Sequence, residues 1–431
     1  MRGDTTRRIA APLALAVLLA LGREAAATTY SWSCNDGSWE QAECWTPAGV
    51  PTSADTASLS TVGGSVTVLR ITDATGEAQA SEVHVTQWPR SPDAAPRLEI
   101  SGGRLTASKE FVGSVVGSDF KGRTGQIRQT GGVNWTDYLY LSGVAGVGEE
   151  PPLAYSLSGS GYLHASGISV GGSSYYNRAA FLQEGGVVDA GGVGLHNGST
   201  YTLTGGTLRS SRWETINEGL FLQAGGEHQI AERLDLSFSS GEYRLEGGSL
   251  EVPFIDVGTR YSKFTFAGGR LSANVVRTPA SWLPLVNQGG TLAPGGAPGA
   301  TGRTTIVHGY TVDDPRATLE IDIAGPAAES GYDQVDVWWG DATLGGILEV
   351  ALADYVPEVG DSFDILKVTN GRLNGTFDET HFPVVQGISF AIDYLGDRVR
   401  LTAVAVPEPT ALLLTATPLF GLAAWRHRRH G

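Results

Sequence analysis

The sequence predicts an all-β chain: a parallel β-solenoid (β-helix) with an N-terminal cap and a C-terminal β-rich region. Three observations predict it. A Gly pair preceded by a short alternating run recurs along the chain. The recurrence settles to a period near 21 residues. Between residues 97 and 290, apolar side chains alternate instead of returning at the 3.6 spacing of a helix.

The repeat reads "RLEISGGRL", "QIRQTGGVN", "AYSLSGSGYL", "AFLQEGGVV", "TYTLTGGTL", "GLFLQAGGEH", "EYRLEGGSL", "KFTFAGGRL" and "VNQGGTL". The first Gly falls at 102, 131, 159, 185, 205, 225, 247, 268 and 289. Early spacings near 28 predict insertions on one face. Four residues before that Gly stand Leu98, Ile127, Tyr155, Phe181, Tyr201, Phe221, Tyr243, Phe264 and Leu285. Two residues before it, Gln129, Gln183 and Gln223 interrupt a mostly apolar series. Positions -4 and -2 share a strand face, so this face points inward and tolerates Gln. Three residues after the Gly come Leu105, Asn134, Tyr162, Val188, Leu208, His228, Leu250, Leu271 and Leu292. One unit cannot bury its apolar face alone, and stacked on its neighbours it can. The Gly pair lets the chain take positive φ at a sharp corner. Nine rungs at about 4.8 Å would make a column of roughly 43 Å. A Gly-rich antiparallel array is the competing arrangement.

The other segments follow in chain order. Residues 1–27 read as a secretory signal: a basic "MRGDTTRR", an apolar "IAAPLALAVLLALG", then small residues with Ala25 and Ala27 set for cleavage. Residues 28–96 read as a β cap. Trp32, Trp39 and Trp45 crowd it, covering the open end of the repeat stack, with sugar stacking as the alternative role. Cys34 and Cys44 are read as a disulfide in an oxidising compartment, since a metal site would need more ligands than two thiols. Residues 97–295 are the repeat body. A Gly- and Pro-rich joint, "GGTLAPGGAPGATGRTTIVHGY", precedes a change of composition, and 296–405 form the C-terminal β-rich region.

Residues 406–431 combine Val406-Pro407-Glu408-Pro409, an apolar run from Ala411 to Trp425, and a basic stub containing Arg426, Arg428 and Arg429. The prolines stiffen the linker and the arginines favour the cytoplasmic side of a membrane. This three-part pattern resembles the PEP-CTERM sorting tail recognised by exosortase enzymes. The resemblance implies export through the Sec machinery, a transient inner-membrane anchor, and delivery to the cell surface or the extracellular polysaccharide matrix. Within residues 289–404, "GGTLAPGGAPGATGRTTIVHGYTV", "LEIDIAG", "YDQVDVWWGDATLGGILEVAL" and "GDSFDILK" resemble the repeat-rich passengers of autotransporter-type and PEP-CTERM surface proteins. That resemblance implies a parallel β-helical body, adhesive or structural, without catalytic residues in this stretch. The resemblance implies that the signal peptide and the sorting tail together would replace the autotransporter export route.

Composition bounds the function. Apolar residues make up 41% of the 431 and allow a buried core. A formal charge of -15 argues against a nucleic-acid partner. "GISVG" (Gly167, Ser169, Gly171) has the nucleophile-elbow spacing, but sits among repeat strands where an elbow needs a strand entering a helix. The acids Glu149/Glu150, Asp313/Asp314 and Glu320/Asp322 read as solvated side chains; a glycosidase pair would face across a cleft. "GGVGLHNG" carries His196 where a calcium repeat requires Asp. No catalytic, cofactor-binding or metal-binding residue is assigned. The expectation is a non-enzymatic, exported surface or matrix protein, structural or adhesive. The alternative is an extracellular polysaccharide-binding or polysaccharide-degrading β-helix protein.

Overall fold

The computed structural model describes residues 27–61, 66–86, 95–113, 125–143, 150–172, 177–280, 283–297, 299–385 and 387–406. The described residues are all-β, with one large, mostly parallel sheet and, among them, a single 3-10 turn at Ala42–Cys44. No described helix is long and apolar enough to cross a membrane.

Strands pair with their counterparts about one repeat later, and the pairs fall into three parallel ladders. The first begins at Asp36–Ser38 and Val68–Ile71, passes through Arg97–Ile100, Gln126–Gln129, Leu153–Leu157, Ala180–Gln183 and Thr200–Leu203, and ends at Leu373–Asn374. The second stacks residues after each Gly corner: Thr106 on Trp135, His164, Asp189, Arg209, Gln229 and Glu251 in turn. The third carries Leu139, Ile168 and Val193 in one file. Pairing crosses residue 97 without a break, through Val68–Ile71 on Arg97–Ile100. It also crosses residue 296, through Val275–Arg277 on Thr305–Val307.

The inward parity holds. Leu98, Ile127, Tyr155, Phe181, Tyr201, Phe221 and Tyr243 are buried, and Phe264 is partly buried and packed against the core. Their rings form a continuous stack. Centroids are 4.8 Å apart for Tyr155–Phe181, 4.5 Å for Phe181–Tyr201, 4.8 Å for Tyr201–Phe221 and 4.7 Å for Phe221–Tyr243. In-register pairing fixes that spacing, because equivalent rings sit one strand separation apart.

The buried glutamines have a specific reason. Each Tyr hydroxyl donates to the Gln of the preceding rung: Tyr155 to Gln129 (2.6 Å), Tyr201 to Gln183 (2.7 Å) and Tyr243 to Gln223 (2.6 Å). The Gln amides donate to backbone carbonyls, Gln183 to Thr207 (3.0 Å) and Gln223 to Ser249 (2.9 Å). Polar groups this deep are tolerable only when so paired. The Gly-Ser-Gly of the third copy shifts the strand by one, so Leu163 pairs with Asn134 and Val188 and is buried, while Tyr162, three residues after the first Gly, faces outward.

The corners need Gly for two reasons. Gly206 has φ +79, and a Cβ there would lie 2.4 Å from the Gly186 carbonyl oxygen of the rung below. Extra residues of the longer early repeats all fall between a third-ladder strand and the next first-ladder strand, as from Val112 to Gln126 and from Leu141 to Leu153. The ends depart from parallel pairing. At the N-terminal end Ser31–Trp32 pairs antiparallel with Trp45–Thr46. At the other end Arg398–Ala405 pairs antiparallel with both Ser362–Lys367 and Ile388–Leu395.

Candidate functional site

The N-terminal end is compact. Cys34 and Cys44 form a disulfide. Trp45 packs edge-on against Trp32 and Trp39, with centroids 5.0 and 5.2 Å apart, and its indole N–H donates to the Trp39 carbonyl (2.9 Å). The three indoles are 2, 1 and 2% exposed for Trp32, Trp39 and Trp45. The sugar-stacking alternative for these residues is therefore corrected: their faces are spent on each other and on the core, and none is offered to a ligand. Of the other expected residues, Ala27 and Val406 are described, and the Val406 N–H donates to the Gly387 carbonyl (3.0 Å). Ala25, Pro407, Glu408, Pro409, Arg426, Arg428 and Arg429 lie outside the described residues.

Ser169 lies inside the strand Tyr162–Val170, paired between Tyr140 and Gly194 of neighbouring strands, and not at the sharp strand-to-helix turn an elbow requires. Glu320 is ion-paired with Arg270 (2.7 Å). The solvated reading is corrected for Asp322: it is buried, as is Asp333, and backbone N–H groups occupy both. Asp322 accepts from Gly299 (2.7 Å); Asp333 accepts from Gly302 (2.7 Å) and from Asp322 (3.0 Å). Burial pushes Asp333 up to about 7, against the pull of those two N–H bonds. These carboxylates staple the Gly-rich joint at 294–302. Among the described residues, no group of three His, Cys, Asp or Glu side chains is arranged to hold a metal ion.

Two polar clusters sit inside the stack. Glu110 is buried in a file otherwise filled by residues such as Val83 and Leu139, and accepts from the Asn134 amide (3.1 Å), which also reaches the Tyr155 hydroxyl (3.1 Å). Desolvation raises Glu110 to about 7. In the second cluster Glu214 accepts from Ser210 and meets His228 Nε2 (3.1 Å), while His228 Nδ1 meets the Tyr243 hydroxyl (2.8 Å). Both clusters end on a Tyr–Gln pair. All their members are buried, so they shape the interior and present nothing to an outside substrate.

The exposed feature is a pair of adjoining troughs, about 880 and 630 Å³ in volume, along the corner between the second and third ladders. They share Tyr138, Ser166, Gly191 and Arg212. Strand parity makes them. In "NWTDYLYL", Asn134, Thr136, Leu139 and Leu141 point inward, which turns Trp135, Tyr138 and Tyr140 outward. The next rungs carry Gly167 and Ser169, then Gly194, at the matching positions, so a depression opens beyond the tyrosines. Trp213 and Phe238 raise its far side. These four rings are exposed by 47% (Tyr138), 38% (Tyr140), 51% (Trp213) and 66% (Phe238). Tyr140 continues an outer file of rings, 5.2 Å from Phe111, which lies 4.8 Å from His84.

The larger trough is polar and repetitive. Its floor follows one outward file of the second ladder: His164, Asp189, Arg209, Gln229, Glu251 and Ser272. Asp189 accepts from Tyr162 (2.6 Å) and faces Arg209 (3.5 Å), and this contact raises the Tyr162 hydroxyl to about 12. Arg212 opens onto both troughs and makes no ion pair among the described residues. Sequence reasoning missed this site. The parity of the alternating runs was the available signal for Tyr138 and Tyr140; Trp213 opens a strand in register with Arg233, and Phe238 lies between strands.

A scan against protein-family models finds no match for the chain, and neither does a search of curated proteins.

Proposed function

We propose that the protein is an exported, non-enzymatic surface or matrix component whose body is a parallel β-solenoid, sorted through its C-terminal tail. The observation that carries the reading is the register. Equivalent residues stay paired from Asp36 to Asn374, and side chains stacked rung on rung fill the interior. Each rung adds length and outer surface around a core too full for a ligand, which suits a scaffold. The disulfide and the capped ends favour life outside the cytosol. The tail's likeness to PEP-CTERM signals supplies the route: the Sec machinery, passage through the inner membrane, and an exosortase acting near Pro407-Glu408-Pro409.

Fractionation of the producing cells with mass spectrometry of both chain ends tests this. The expected result is a chain starting after Ala27, ending near Pro409, and recovered from the surface or matrix. Removal of residues 406–431 should abolish that placement. A full-length chain retained in the cytosol would overturn the reading.

A further inference from the structure

We infer that the double trough between the second and third ladders binds a neutral polysaccharide chain, laid along the stack. The proposal deepens the surface-protein reading by naming its partner, and depends on it only for where the glycan is met.

Rings come first. Isolated exposed apolar residues are ordinary, but Tyr138, Tyr140, Trp213 and Phe238 gather around one depression floored by Gly and Ser. A flat ring with one face free is the usual partner for the C–H face of a pyranose, and small floor residues allow a ring-sized body to approach.

Spacing comes second. The polar file from His164 to Ser272 offers a side chain at every rung, about 4.8 Å apart. That is close to the advance of one pyranose along an extended chain, so a polymer can repeat its hydroxyl contacts from rung to rung. Arg209, Asp189, Gln229 and Arg212 supply both donors and acceptors, as hydroxyl groups require.

Charge selects the neutral class. Arg209 and Arg212 balance Asp189 and Glu251 within the larger trough, whereas the whole chain carries -15. A polyanion would meet long-range repulsion with no local excess of positive charge to offset it.

Affinity electrophoresis of the purified protein tests this, in gels holding hydroxyethyl cellulose, galactomannan or alginate. The neutral polymers should retard the protein. Trp213→Ala and Tyr138→Ala should each weaken that binding by about tenfold, and Arg212→Gln by at least about threefold. Trp339→Ala removes an exposed ring that lines neither trough and should change nothing. Unchanged circular dichroism identifies variants that remain folded, and Arg212→Gln keeps the test open should a ring variant misfold. Retardation by alginate alone, by no polymer, or with equal loss on Trp339→Ala would overturn the proposal. Surface recovery without glycan binding sinks this inference alone. Glycan binding by a chain that stays in the cytosol sinks the surface reading alone.

Discussion

Cutting the bond between Tyr201 and Gln183 tests whether the interior polar residues are a paired design or an accident of the repeat. Tyr201→Phe removes one hydroxyl and leaves the ring between Phe181 and Phe221. It also strands the Gln183 side-chain Oε1, which accepts only that hydroxyl in the core. A buried acceptor left unpaired costs about 1–3 kcal/mol. Gln183→Leu strands the Tyr201 hydroxyl instead and frees the Thr207 carbonyl, at a similar cost of about 1–3 kcal/mol. The double variant removes both groups and leaves a Phe beside a Leu. Its loss should fall below the sum of the singles by roughly 1–2 kcal/mol. Urea denaturation of all four proteins, followed by circular dichroism, measures the coupling. Additive losses would refute the pairing argument.

Glu110→Gln tests the buried acid. An acid raised to about 7 in the folded state holds its proton more tightly there than when unfolded, so its contribution is full below about pH 4.3 and is lost as pH rises through 7. The loss amounts to about 3 kcal/mol for this group, and urea midpoints across pH 4.5–8 should show a shallower decline in the variant. Asp333 shifts in the same direction, so part of the slope should survive Glu110→Gln. Gly206→Ala should destabilise by more than about 2 kcal/mol in the same assay, since it adds a Cβ both at positive φ and against a backbone oxygen. Cys34→Ser with Cys44→Ser should cost about 2.5–3 kcal/mol at the N-terminal end, read as faster exchange of amide hydrogens in residues 29–46.

Much of the core could be read from the sequence because a strand alternates with period two and the repeat fixed its phase. Tyr155, Phe181, Tyr201, Phe221 and Tyr243 share one buried file for that reason. The Tyr–Gln bonds could not be read, since they join different rungs and depend on register. Tyr162 faces outward where Leu105 and Val188 of the same repeat position face inward, because the Gly-Ser-Gly insertion moves the strand by one residue, and such a slip exchanges the two faces. The trough escaped notice for a related cause. It exists where outward positions change from Tyr to Gly and Ser between rungs, a comparison that requires knowing which strands are neighbours. The three N-terminal tryptophans drew attention as a cluster, and clustering alone does not separate a buried knot from an open platform.

The most direct test of the stacked, in-register ladders is a distance within one chain. Spin labels on Cys placed at Thr106 and Glu251 occupy one outward file, six strand steps apart. Pulsed electron resonance should return a narrow distribution near 29 Å, six spacings of about 4.8 Å, apart from the label linkers. A broad distribution, or one centred more than about 10 Å away from that distance, would contradict the arrangement from which both the scaffold reading and the trough are built.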